Sequence, residues 1–354
     1  MRSIRVKNKM IGDGYPAFIV AEMACSHDGS IEIAKKIIDA AAKARADAIN
    51  FQMTSLPDYM VPNYSAGGVS HGKGESDIYG YLKKIFWFGE TEWKELFDYA
   101  NEKDLIISVT CNDIPSAKLA KTLGADIYQI HSSSLSEENL VKTVARIKKP
   151  ICLKIGGTFL GELEKAIFWI REEGNEEIML LHGFQNYPTK LKDVHLRFIP
   201  TLKKLFSLPV GFADHTDGGS ELALVVPLLA LPLGANFIEK HLTHDRSQKC
   251  EDFESALNPE DFKKFVNNVR EVEKTFGEES MHIFSKDELK YRQISKKRAV
   301  ANRDIGKGEI LKSEDIVFKR SDEGIFPDES KFVIGRKLKF NIKENDPITW
   351  DSFE

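Results

Sequence analysis

Two histidines close short β-rich runs in the second half of the chain, His215 in GFADHTDGG and His241 in FIEKHLTHD. If those runs are neighbouring strands, about 4.8 Å apart, two imidazoles at matching height can share one divalent ion. Asp214 and Glu239 lie close enough to orient a ligand imidazole, and Glu239 shares its side of the strand with His241. Other polar residues also fall at the ends of apolar runs: Glu22, Asn50, Gln52, Thr110, Gln129, His131, Ser132, Lys154 and Gln185. Taken singly, each reads as a hydrogen-bonded structural residue, as do His27, His182 and His244. Together they point to a ligand pocket, in which His215 and His241 are candidate metal ligands. Lys154 opens a second chemistry, because a lysine with a depressed pKa forms a Schiff base with a ketone. The simpler reading keeps Lys154 protonated and paired with a ligand anion or with Glu22, since a Schiff-base enzyme would leave the histidine pair without a task.

These residues need elements that bring them to one level. Eight short β-rich runs recur at 18–23, 48–52, 105–110, 127–131, 151–155, 178–182, 210–215 and 237–241. Amphipathic stretches lie between them, such as SIEIAKKIIDAAAKARADA, in which Ile33, Ile37, Ile38 and Ala41 share one helical face. Strand-then-helix units in this number predict an α/β fold, a closed (β/α)8 TIM barrel. An open doubly wound sheet would carry a Gly-rich phosphate turn after its first strand, and the stretch EMAC at 22–25 is not one. Long segments at 54–90 and 242–258 follow the second and eighth strands. In a barrel both emerge at the C-terminal face, where active sites are built.

Composition narrows the rest. The chain has 354 residues, 42% apolar and 29% charged, with a formal net charge of −4. That is enough apolar residue for a sizeable core, and no basic stripe marks a nucleic-acid binder. The longest apolar stretch, 222–237, is broken by Pro227, Pro232 and Gly234 and is too short to span a membrane. The opening MRSIRVKNKM lacks the apolar core of a secretory signal. Cys25, Cys111, Cys152 and Cys250 show no metal-binding spacing and read as thiols in a reducing compartment, so a cytoplasmic protein is expected. From about residue 295 the texture changes to short β-like runs and turn dipeptides. We expect a barrel over 1–280, a charged linker over 281–294 and a small β-rich domain over 295–354.

The same residues carry a family resemblance. The stretches FIVAEMACSHDG, ADAINFQM, LGADIYQIHSS, NYPT, GFADHT, GANFIEKHLTHD and LNPEDF resemble the sialic acid synthase family. That family includes N-acetylneuraminate, legionaminate and pseudaminate synthases and a spore-coat polysaccharide protein. The tail, from RAVANRDIGKGEIL through KRSDEGIFP to GRKLKFNI, is similar to the antifreeze-like (SAF) domain that ends these enzymes. The resemblance implies condensation of phosphoenolpyruvate with a hexosamine-type aldehyde sugar, in the making of a surface polysaccharide or glycan. The enol carbon attacks the sugar carbonyl, water adds to the resulting oxocarbenium, and phosphate leaves. A divalent ion, manganese or magnesium, polarises the carbonyl as a Lewis acid. By the resemblance, its protein ligands fall on His215 and His241 and the proton-handling glutamate on Glu22. Sugar contacts fall on Gln52, Tyr187, Glu239 and Asp252. It also implies a homodimer in which Arg320 of the C-terminal domain reaches the partner's active site.

The departures concentrate in the donor pocket. Thr110 and Ser132 match the family's donor-side residues. Asn50 and Gln129 stand where the family has lysines, Lys154 and Ala213 where it has serines, Gln185 where it has asparagine, and Phe253 where histidine is usual. Two positive charges are lost and one is restored, which matters because a phosphate is costly to desolvate without cationic partners. Lys73 or Lys83 is a candidate to make up the difference. The donor is then phosphoenolpyruvate in a shifted pose, or something smaller or less anionic. Two further readings stay open, a Lys154-dependent aldolase or lyase on a related sugar and a non-catalytic sugar-binding protein.

Overall fold

The computed structural model describes residues 3–64, 77–86, 88–277 and 280–354. The chain divides into two compact units, Met1–Gly277 and Glu278–Glu354. In the first, a short antiparallel hairpin of β1 (Ile4–Val6) and β2 (Lys9–Ile11) precedes the barrel. The barrel strands are β3 (Phe18–Ala24), β4 (Ala48–Met53), β5 (Ile106–Cys111), β6 (Ile127–Ile130), β7 (Ile151–Lys154), β8 (Ile178–His182), β9 (Val210–Asp214) and β10 (Phe237–His241). All pair in parallel and β10 returns to β3, which closes the barrel and leaves no open edge.

The helices are α1 (Ile31–Ala44), α2 (Leu56–Tyr59), α3 (Ile78–Ile85), α4 (Glu90–Glu102), α5 (Ile114–Leu123), α6 (Glu138–Ala145), α7 (Leu160–Glu172), α8 (Phe198–Phe206), α9 (Val226–Ala230) and α10 (Pro259–Glu273). Local sequence sets their ends. Ser30 caps α1 by accepting from the Ile33 N–H, and Asp113 caps α5 through the Ser116 N–H. Outward strand residues such as Ile19, Phe51, Val109, Phe212 and Ile238 pack against the buried helix faces in one large apolar layer. The inward residues Phe18, Val20, Ala48, Ile106, Ile127, Cys152, Met179 and Phe237 form a second cluster with Ile4, Val6 and Ile11. The hairpin therefore plugs the barrel at the end where its strands begin. All four cysteines are buried, and no disulfide joins them. Among the described residues no helix is long and apolar enough to cross a membrane.

The second unit holds α11 (Lys286–Ser295) and one antiparallel pair, β11 (Lys297–Ala301) with β12 (Ile316–Arg320). Isolated bridges, including Ile305–Ile342 and Leu338–Phe353, tie its turns around a small apolar core containing Val333, Leu338 and Ile348. The segment expected to be a plain linker carries a ten-residue helix, capped by the reciprocal Ser285–Glu288 pair. Its charge composition hid that capping signal.

Candidate active site

Period-two alternation aims Glu22, Asn50, Thr110, Gln129, Lys154 and Glu239 inward from six different strands. They meet in one network near the strand tips. Asn50 Nδ2 donates to both Glu22 oxygens, at 3.0 and 2.8 Å, and to Thr110 Oγ1 at 2.9 Å. Lys154 Nζ donates to Glu22 Oε2 at 2.8 Å and lies 3.0 Å from Glu239 Oε1, an ion pair without hydrogen-bond alignment. Gln129 Nε2 completes the ring, donating to Glu239 Oε2 at 2.8 Å and to Ser108 Oγ at 3.0 Å. The carboxylates fix both amide orientations, since a flipped amide would set its oxygen against a negative charge. Asn50 Oδ1 and Gln129 Oε1 are left buried without a hydrogen-bond partner.

This arrangement separates two carboxyl groups. Burial would raise both pKa values, but the Lys154 ammonium and the Asn50 amide outweigh it at Glu22 and hold that group well below the usual range. At Glu239 burial wins over Lys154, with Glu22 adding to it, and the carboxyl is pushed up. Glu22 is thus kept as the anion while Glu239 is the better proton holder. Lys154 is held as an ammonium, because Glu22 and Glu239 more than offset its burial. That state removes the free amine a Schiff base requires.

The histidine pair adjoins this network. The rings of His215 and His241 have centroids 5.1 Å apart at an interplanar angle of 72°. His215 Nδ1 donates to the Phe184 carbonyl at 2.8 Å, which fixes the tautomer and leaves the Nε2 lone pair available. Glycine makes this approach feasible. A Cβ on Gly183 would sit 2.6 Å from the Ala213 carbonyl oxygen, so only a bare backbone lets the loop after β8 lie so close to β9. Burial pushes His215 down to about 4 and His241 well below its ordinary value, so both are neutral. His241 Nδ1 is buried with no hydrogen-bond partner and stands 4.0 Å from Asp252 Oδ2. Two adjacent neutral imidazoles, one with its tautomer set and one with an orphaned nitrogen, fit a divalent ion. Among the described residues no group of three or more His, Cys, Asp or Glu side chains could hold one.

The expected orienting carboxylates are corrected by the geometry. Glu239 turns to Gln129 and Lys154, and Asp214 pairs with Lys240 at 2.7 Å on the outward face. A backbone carbonyl does the orienting, a partner that depends on loop path and leaves no trace in residue type. Ser108 and Lys240 were also missed. In FIEKH, strict alternation already places Lys240 opposite Glu239, which is the signal that would have found it.

The remaining predicted residues spread around the mouth. The Tyr187 ring lies 4.6 Å from that of His215, tilted by 44°, and edge-on at 5.5 Å to that of His241, and its hydroxyl donates to Gln185 Oε1 at 2.8 Å. Gln52 is the half-buried register partner of Thr110, and Ser132 begins a 3-10 turn after β6. Asp252 sits in the loop after β10 in a left-handed conformation, φ 63°. Arg320 ends β12 in the second unit and is exposed. Lys73 lies outside the described residues. Lys83 instead lines a separate cavity of about 490 Å³ with Phe86, Phe88 and Trp93. The long segment after β4 reaches both sides of the mouth, through Tyr59 to Ser133 and through the Tyr81 hydroxyl to the Glu251 carboxylate.

Comparison with known proteins agrees with this architecture. An uncharacterized protein of Methanocaldococcus jannaschii is 33% identical over 352 residues, covering 99% of this chain and 98% of its own. A pseudaminic acid synthase of Campylobacter jejuni is 32% identical, covering 95% and 96% respectively. Among solved structures, the N-acetylneuraminic acid synthetase of Leptospira borgpetersenii, in complex with citrate, aligns with a TM-score of 0.73 at 29% identity. That alignment covers 82% of this chain and 96% of the synthetase. Residues 298–354 match the SAF domain. With residues 37–281, well over half its length, matching the model of the NeuB family, this chain belongs to that family.

Proposed function

We propose that this protein is a nonulosonate synthase-type enzyme that joins a three-carbon donor to an aldehyde sugar in the biosynthesis of a surface glycan. The observation that carries the reading is the neutral, face-to-edge pair of His215 and His241 beside an ionised Glu22. Those two histidines would hold one divalent ion, which supplies Lewis-acid polarisation of the sugar carbonyl. Glu22 takes up a proton at the reacting sugar, and Glu239, whose pKa burial pushes up to about 7, exchanges a proton with a sugar oxygen. Tyr187, Gln52 and Asp252 border the mouth where the sugar would sit. Arg320 is proposed to enter the mouth of a second copy in a homodimer. The donor expected from the family is phosphoenolpyruvate, and Lys154 is the one ammonium in the network available to its anionic groups.

The reading is tested by phosphate release from phosphoenolpyruvate across a panel of aldehyde hexosamines, with manganese or magnesium and then with chelator. Release that needs both sugar and ion supports it. No release with any aldehyde sugar removes phosphoenolpyruvate as donor.

A further inference from the structure

The outward faces of β9 and β10 hold an ion pair with no part in the chemistry above. Lys240 Nζ donates to Asp214 Oδ2 at 2.7 Å, and both side chains are 0% exposed. The two residues are direct register partners across the strands. Each is followed at once by a histidine of the pair, His241 after Lys240 and His215 after Asp214. Alternation sends the imidazoles to the barrel interior and the charged residues into the wall behind it, where Phe212 and Ile238 share their faces in the apolar layer. Asp214 is fixed further, since Oδ1 accepts from the Thr216 N–H at 3.1 Å and Oδ2 from the Thr216 hydroxyl at 3.0 Å.

Stability alone does not account for such a pair. Removing two charges from water costs about what their attraction returns, and an apolar replacement is often neutral or better. Geometry gives it a role. A strand that slips by one residue exchanges its two faces, and here a slip would leave two buried charges unpaired while turning an imidazole out of the interior. One level of the β9–β10 ladder satisfies the pair, and it is the level directly beneath the two rings.

We propose that the Lys240–Asp214 ion pair is a positioning device that sets the separation and tilt of His215 and His241, and through them the affinity of the site for a divalent ion. The ion-affinity half rests on the metal reading given above. Neither residue touches the ion or substrate; both act through the strand backbone.

The test replaces both charges at once, Asp214→Leu with Lys240→Met, so that no orphaned charge remains. Manganese affinity is measured by calorimetry, and a metal-free crystal structure of the variant reads the ring positions. The double variant is expected to keep a thermal midpoint near that of the unaltered protein, to bind manganese 10- to 100-fold more weakly, and to show the rings displaced from their 5.1 Å separation. Lys240→Arg, which retains the pair, is expected to bind manganese as the unaltered protein does. Unmoved rings with undiminished affinity in the double variant overturn the proposal. If the unaltered protein binds no manganese, the metal reading falls, and the ring positions still decide the positioning role. Should that double variant not fold, Asp214→Val with Lys240→Leu, which also removes both charges and leaves no pair across the strands, is read in the same two ways.

Discussion

Lys154 Nζ lies 2.8 Å from Glu22 Oε2, so an ammonium from the fifth barrel strand neutralises a carboxylate on the first. Glu239 takes the other side of the same ammonium at 3.0 Å. One cation therefore serves two buried acids. Substituting Lys154→Met leaves those acids facing each other without compensation, and a loss of about 3–5 kcal/mol is expected. Urea denaturation measures it, and a loss below about 1 kcal/mol would show that the network is not held by this charge.

The same ion pair separates two mechanisms. Borohydride treatment in the presence of pyruvate or a keto sugar is expected to leave Lys154 unmodified by peptide mass analysis, because both carboxylates keep it protonated. A reduced adduct on Lys154 would establish the aldolase reading instead.

Donor choice can be rebuilt at the bench. The triple substitution Asn50→Lys, Gln129→Lys and Lys154→Ser moves the positive charge to the positions that the family resemblance implies. Phosphoenolpyruvate affinity is expected to rise about tenfold or more, as charge-assisted contacts replace neutral amides. Equal affinity would mean that Lys154 already does the work of both missing lysines.

Metal dependence predicts a shared failure. His215→Ala and His241→Ala are each expected to abolish measurable manganese binding, with folding unchanged by circular dichroism, since on the proposed function these two imidazoles would hold the ion. A variant that still binds with its normal affinity would exclude that histidine as a ligand.

Acid lability follows from His27, which is 1% exposed and stacked at 4.6 Å on Phe88. Burial holds it at about 4, below the ordinary 6.5. The unfolded chain therefore binds the proton first, and stability falls as pH drops from 6.5 to about 4, by about 3 kcal/mol for this one group. His27→Gln is expected to lessen that slope by one proton in urea titrations across the window. An unchanged slope would assign the acid sensitivity elsewhere.

How far the sequence could be read depends on what kind of partner a residue uses. The eight strands were legible because each alternates or runs apolar between turn residues, and closing them into a barrel put Glu22, Asn50, Gln129 and Lys154 at one level, as their positions at strand ends implied. Glu22 was one of the two partners expected for Lys154, a ligand anion being the other, since opposite charges on inward positions can meet. The Phe184 carbonyl behind His215 was not, since any residue type supplies a carbonyl. The hairpin at Ile4–Ile11 was also missed, because three-residue strands interrupted by lysine and asparagine give no period to detect. Asp214 misled because it stands next to a histidine in sequence, and the pleat turns neighbours apart.

The hairpin also governs traffic. Ile4, Val6 and Ile11 pack into the barrel floor, so a reactant for the Glu22 network would approach from the strand tips. On the proposed function, a reactant seated against the polar network would enter before a bulkier companion and leave after it. The plug would then favour an order in which the smaller reactant comes first.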